Sequence, residues 1–167
     1  MKALGIALVC SALAGAAAAQ PAAPPPVVGF VFEENATLAP AVVLGQTPLG
    51  RRQAIPITGG TFAGPDVHGR ILPGGADYQT VRSDGGVVID ADYFLETDDG
   101  VVIHVRNVGI IIPPKAAGQA AYPYAAPKFD APIGKYGWLN DSLFVSRISP
   151  GGDKDHPAVK ITIWKVG

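Results

Sequence analysis

Between Val87 and Thr97 the chain alternates. Val87, Ile89, Ala91, Tyr93 and Leu95 take every second position, with Val88, Asp90, Asp92, Phe94 and Glu96 between them. A period of two marks a half-buried strand, because successive side chains leave opposite faces. Apolar runs of strand length recur along the chain, at Val27–Leu38, Ala41–Gly45, Arg51–Thr58, Val67–Leu72, Asp77–Arg82, Val101–Ile112, Trp138–Ile148 and Ala158–Val166. Turn residues separate them: Gln46-Thr47-Pro48, Gly59-Gly60, Pro73-Gly74-Gly75, Ser83-Asp84-Gly85-Gly86, Asp98-Asp99-Gly100 and Ser149-Pro150-Gly151-Gly152. The stretch from Pro113 to Pro132 holds five prolines and reads as a long connection, with at most one helical turn near Ala116–Ala121. So many short strands in one small domain predict an all-β fold, a closed antiparallel barrel or a sandwich. We expect a single antiparallel barrel of about eight strands with little or no helix.

Turn lengths set which faces meet. A three-residue turn at Asp98-Asp99-Gly100, with Gly100 left-handed, pairs Thr97 with Val101, Leu95 with Ile103 and Tyr93 with Val105. It also brings Asp92 opposite Arg106 on the outer face. A two-residue turn would instead set Tyr93 against Arg106, so the three-residue register satisfies both faces. Treating Asp84-Gly85-Gly86 in the same way pairs Ser83 with Val87, Gln79 with Ala91 and Asp77 with Tyr93.

Composition supports this picture and narrows function. The chain has 167 residues, 21 of them Gly and 16 Pro, a load that a helical bundle would not carry. Only 16% of residues are charged and the net charge is -1, so a nucleic-acid partner is not expected. The first residues form their own unit. Lys2 precedes the uncharged run Ala3–Ala19, which ends in Ala17-Ala18-Ala19 ahead of Gln20 and a Pro-rich segment. That is the layout of a secretory signal peptide, with cleavage before Gln20. The run is short and Ala-rich for a membrane anchor. Val9 before Cys10 does not suit lipid attachment. The expected organisation is therefore a signal peptide at 1–19, a Pro-rich leader at 20–26 and a barrel domain at 27–167. The mature chain has no cysteine, no membrane span and a periplasmic or secreted location.

The registers place Asp77, Gln79, Tyr93 and Asn107 on the inner face, among Val81, Ile89, Leu95, Ile103 and Val105. Isolated polar groups on a buried face are costly unless partnered. Four together fit a wet or ligand-holding cavity, or a satisfied internal network with no ligand. Asp77 follows the Pro73-Gly74-Gly75-Ala76 turn, near one barrel end, where an apolar wall would disfavour its charged form and poise it as a base. Tyr93 across from it would donate a hydrogen bond to a substrate oxygen, with Gln79 and Asn107 orienting the molecule. Equally, Asp77 would accept hydrogen bonds from the Gly-rich turn and do nothing more.

Several motifs together carry a family resemblance: Ile57-Thr58-Gly59-Gly60-Thr61-Phe62-Ala63-Gly64, Gly69-Arg70-Ile71-Leu72-Pro73-Gly74-Gly75-Ala76-Asp77-Tyr78, Asp90-Ala91-Asp92-Tyr93, Thr97-Asp98-Asp99-Gly100, Asn107-Val108-Gly109, Ala126-Pro127-Lys128-Phe129 and Tyr136-Gly137-Trp138-Leu139-Asn140. From about Val31 to Val166 the chain resembles the domain of unknown function 3237 family. The resemblance implies a compact antiparallel β-barrel and no settled reaction. It also brings Trp138 and Asn140, read as sharing one face of a strand, into the candidate ligand-binding set.

Other signals point to no cofactor and no metal. The Gly59–Gly64 run lacks the Lys-Ser/Thr and helix of a phosphate loop. His68, His104 and His156 are too scattered for zinc, and the Asp-rich turns lack calcium-loop spacing. No G-x-S-x-G elbow is present. Two functions remain: a barrel that binds a small, partly apolar molecule, or an acid–base enzyme of isomerase, cyclase or lyase type using the same cavity, with Asp77 and Tyr93 as the catalytic pair.

Overall fold

The computed structural model describes residues 24–153 and 155–167. The signal-peptide segment and the start of the leader lie outside the described residues. Ten strands follow in chain order: β1 (Val28–Leu38), β2 (Val42–Thr47), β3 (Gly50–Ala63), β4 (His68–Ile71), β5 (Ala76–Val81), β6 (Val87–Thr97), β7 (Val102–Ile112), β8 (Tyr122–Asp130), β9 (Phe144–Gly152) and β10 (Pro157–Val166). The only helical element among the described residues is a single 3-10 turn at Gly137–Leu139.

The strands close into a barrel. β1 pairs with β10, and the order runs on through β9, β8, β7 and β6. β4 and β5 share the next position, both lying between β6 and β3. β3 then pairs with β1, and β2 continues the line of β1 along the first half of β3. All pairings are antiparallel, so eight positions go round the barrel as the sequence predicts. Closure removes the open edges that an eight-stranded sheet would otherwise expose.

The β6–β7 register is the one expected from the turn. Leu95 pairs with Ile103 and Tyr93 with Val105, and Gly100 closes the turn at φ 82°. On the outer face the Cα partners are Asp92 and Arg106, but the guanidinium reaches diagonally to Asp90, with both contacts at 2.8 Å. Asp92 instead meets His104 at 2.9 Å.

Four expectations need correction. The β5–β6 register is shifted by two residues: Asp77 faces Ala91, not Tyr93, and Val81 faces Val87. The turn starts at Arg82, whose N–H donates to the Gly86 carbonyl, rather than at Ser83. A shift of two leaves every side chain on its expected face. Gly59-Gly60 is not a turn, since β3 runs through it to Ala63. A side chain at Gly60 would put its Cβ 2.1 Å from the Asn35 carbonyl oxygen, so only glycine lets β1 and β3 approach there. The Pro113–Pro132 connection contains a full strand, β8, and Trp138–Asn140 lie in and just after the 3-10 turn rather than on a strand.

The two barrel ends differ. Near the start of β1 the interior is filled by Phe62, Phe32, Phe129 and Phe144, with successive ring centroids 5.4, 5.8 and 4.9 Å apart. The segment after β8 caps this end, burying Ala131, Tyr136 and Leu139. Asp99 fastens the cap to the β6–β7 turn, receiving the Lys135 ammonium at 2.8 Å and the Tyr136 hydroxyl at 2.9 Å. These charge-assisted contacts hold its carboxyl well below the usual carboxylate range. At the other end, beside Leu38, Ile55, Ile111, Ile148 and Val159, no such plug fills the interior among the described residues, and a cavity remains.

Candidate functional site

The cavity has a volume of about 80 Å³. Its walls are mostly aliphatic, from Ala36 and Leu38 on β1, Ile55 and Ile57 on β3, Ile89 on β6 and Ile161 on β10, among others. Four polar side chains line it: Asp77, Gln79, Tyr93 and Asn107. These are the four that strand alternation assigns to the inner face. No Lys or Arg lines it.

Asp77 is mostly buried and held by two donors. The Gln79 amide donates to its Oδ2 at 2.6 Å, and the Asp90 backbone N–H donates to its Oδ1 at 3.0 Å. The Gln53 side chain in turn donates to the Gln79 carbonyl at 2.8 Å, which fixes the amide so that its nitrogen faces Asp77. Burial pushes the Asp77 pKa up, and the two donors oppose that. The Gly-rich turn before Asp77 satisfies itself differently. The Gly74 N–H donates to the Ile57 carbonyl, and the Ile57 N–H donates to the Gly75 carbonyl.

Tyr93 does not face Asp77 across a ladder. Its hydroxyl donates to Glu34 Oε2 at 2.7 Å. Glu34 lies on β1 between Phe32 and Ala36, is fully buried, and its other carboxyl oxygen has no hydrogen-bond partner. An ionised carboxylate in that position loses its hydration without full replacement. Burial accordingly pushes the Glu34 pKa up from 4.5 to about 8, against the opposing pull of the Tyr93 hydrogen bond. Burial and the neighbouring Glu34 push the Tyr93 phenol well above its ordinary value. The result is a carboxylic acid whose neutral form burial favours, one side chain behind the cavity wall.

Asn107 is also buried, and Ser146 on β9 donates to its carbonyl oxygen at 3.2 Å. Trp138 and Asn140 stand apart from the cavity, at the capped end. Trp138 packs on Phe144 at 6.1 Å between centroids. Asn140 makes paired hydrogen bonds to the backbone of Ala131, at 2.8 and 2.9 Å. Of the six candidate residues the structure therefore brings four together and leaves two elsewhere.

The residue that sequence reasoning missed is Glu34. The signal was present: Phe32, Glu34, Ala36 and Leu38 fall on one face of β1, so the same alternation that found Asp77 turns this carboxyl inward. Among the described residues no group of three or more His, Cys, Asp or Glu is placed to hold a metal ion. No helix among them is long and apolar enough to cross a membrane.

Comparison with known proteins agrees with this architecture. Residues 26–166 match the family described as "Protein of unknown function (DUF3237)". A UPF0311 protein of Bradyrhizobium diazoefficiens is 34% identical over 136 residues, covering 75% of this chain and 89% of that one. A Penicillium herquei protein named a hydroalkoxylation enzyme is 35% identical over 117 residues, 70% of each chain. Among solved structures, a β-barrel-like protein of Acinetobacter baumannii superposes with a TM-score of 0.78 at 32% identity, covering 89% of this chain and all of the other. An enzyme from Penicillium herquei superposes at 0.69 and 29% identity, covering 89% of this chain and 99% of its own.

Proposed function

Because this chain belongs to the DUF3237 family of proteins of unknown function, we propose its activity from the cavity: it is an acid–base enzyme that binds a small, partly apolar molecule inside the barrel and moves protons on it. The observation that carries this reading is the Tyr93–Glu34 pair. A neutral carboxylic acid beside a cavity-lining phenol is a proton source of a kind that packing alone does not call for. When Glu34 is protonated, the 2.7 Å contact lets it donate to the Tyr93 oxygen. The phenol proton is then free to face a ligand. As Tyr93 gives that proton up it takes the one from Glu34, so no tyrosinate forms. Asp77 on the neighbouring strand supplies an acceptor in the same space.

The relative named a hydroalkoxylation enzyme supports proton-transfer chemistry of this class. Hydroalkoxylation adds an O–H bond across a carbon–carbon double bond, which asks for a proton donor at carbon and an acceptor at oxygen. The sequence of residues 1–19 supports export, and we place the protein in the periplasm or outside the cell on that ground.

The test is turnover on small hydroxyalkenes in D2O, read as deuterium entering carbon, with Tyr93→Phe beside the unaltered protein. A positioned acid contributes about 10²–10⁴-fold. Tyr93→Phe should lose at least a hundredfold in rate while still binding substrate. Undiminished turnover in Tyr93→Phe would leave the pair without a catalytic role, and no turnover in the unaltered protein would leave a binding barrel.

A further inference from the structure

The cavity has a neighbour at the open end of the barrel. A groove of about 550 Å³ lies beside it, and Ile111, Ile148 and Val159 line both spaces. All three are half-buried, and the two spaces adjoin at these side chains. The cavity, at about 80 Å³, holds only an end group. The groove falls within the ~300–1,000 Å³ of sites that hold a small molecule.

The groove follows the shortest ladder of the barrel. β9 pairs with β10 from Phe144 to Gly152, and β8 pairs with β7 from Tyr122 to Asp130. Between β8 and β9 only Tyr124–Arg147 and Ala125–Ser146 are paired. The same register would next set Pro123 against Ile148 and Tyr122 against Ser149, and neither pair forms. Pro123 and Pro150 have no N–H to give to a ladder there. The strands part toward the open end. Ala120, Ala121 and Pro123 line one side of the gap, and Ile148, Ser149 and Pro150 line the other. The result is an apolar slot in the wall rather than a flat face.

Charge is sorted along this path. Arg147 is the one charged side chain that lines the slot, and Asp77 is the one that lines the cavity. Arg147 is exposed and makes no ion pair among the described residues. Its Cα partners on the two sides, Tyr124 and Thr162, carry no charge to offset it. A carboxylate pushed into the cavity would meet Asp77 and no cation, in apolar surroundings. At Arg147 it meets a planar guanidinium fork that matches it, beside water. One guanidinium matches one carboxylate. An anion outside, an apolar chain in the slot and a neutral end inward is the orientation that both spaces accept.

We propose, resting on the acid–base reading of the cavity, that the β8–β9 slot is a second subsite of the same site and that the substrate is an apolar monocarboxylate, its carboxylate on Arg147, its chain in the slot and its neutral end in the cavity. Arg147 decides which end goes in. Ala121 and Pro150, on opposite sides of the slot, bound the chain. The distance from Arg147 to the cavity selects chain length.

Calorimetric titration with straight-chain carboxylates from hexanoate to dodecanoate, kept below micelle formation, reads the subsite without any turnover. Affinity should rise about fourfold with each added methylene until the path is full. The methyl ester of the tightest ligand should bind about tenfold more weakly, and Arg147→Gln should erase that difference. Ala121→Phe, at an exposed position, should narrow the slot and move the optimum to shorter chains. Equal affinity along the series, equal affinity of acid and ester, tighter binding of the alkylammonium of the same length, or no binding at millimolar concentration would overturn the proposal. Carboxylate binding untouched by both Arg147→Gln and Ala121→Phe would seat the chain elsewhere and overturn the slot as its place. Concentration-dependent dimers that bind no carboxylate would overturn it in favour of a second copy of the chain as occupant. The expected binding pattern with no deuterium transfer on any substrate would support the subsite and remove the acid–base reading alone.

Discussion

Replacing Glu34 by Gln should make the protein more stable at alkaline pH. The side chain keeps its shape and can still partner the Tyr93 hydroxyl, but it can no longer ionise. In the native chain, Glu34 is raised from 4.5 to about 8 by burial. Each tenfold change in proton affinity is about 1.4 kcal/mol, so the full shift is worth about 5 kcal/mol. The folded state binds this proton more tightly than the unfolded state. Its stabilising effect is therefore complete below about pH 4.5, declines as pH rises, and is gone above about pH 8. Chemical denaturation at fixed temperature from pH 5 to pH 9 measures it. The unaltered protein should lose stability across this range relative to Glu34→Gln, with the gap growing by about 4 kcal/mol. A gap that does not grow with pH, or a Gln variant less stable at pH 9, would show that Glu34 is ionised in the fold and cannot be the proton source.

Three further outcomes are expected. A Cβ at Gly75 would lie 2.5 Å from the Tyr93 Cβ, so Gly75→Val should cost ~1–3 kcal/mol by overpacking and displace Tyr93, weakening ligand binding by calorimetry. Asn140→Ala leaves the buried Ala131 N–H and carbonyl without their side-chain partners; stability should fall by ~1–3 kcal/mol in urea titration while cavity binding stays unchanged. Intact-mass analysis of protein recovered from outside the cytoplasm should show Gln20 as the first residue, and a soluble exported form retaining Met1–Ala19 would refute signal cleavage.

How much could be read in advance depended on how local the determinant was. The β6–β7 hairpin was legible because a short turn and two patterned strands agree on one register. The β5–β6 register failed by two because the Gly-rich turn closes on Arg82, a choice made by backbone hydrogen bonds that residue type does not announce. The inner face survived that error, since a period of two cannot distinguish the registers. β8 was hidden by Pro123 and Pro127. β9 pairs with it only at Tyr124 and Ala125, between those two prolines, so the missing N–H groups interrupt little of that ladder. Trp138 and Asn140 were misplaced because three residues of apparent alternation also suit a tight 3-10 turn. The Glu34–Tyr93 contact spans 59 positions and depends on barrel closure, which no local pattern encodes.

That closure joins the two ends of the domain. β1 pairs with β10, and Val27 and Gly167 exchange backbone hydrogen bonds at 3.0 and 2.9 Å. The contact of Thr162 with Glu33 links residues 129 positions apart. Such distant pairings make the last folding step slow, because the loop must close before the contact rewards it. The barrel cannot shut before β10 is in place between β9 and β1. In the unfolded chain Glu34 meets water and ionises freely. Shutting the barrel therefore takes up a proton at neutral pH. Folding should run faster in mildly acidic solution, and the finished barrel would emerge with its acid already loaded.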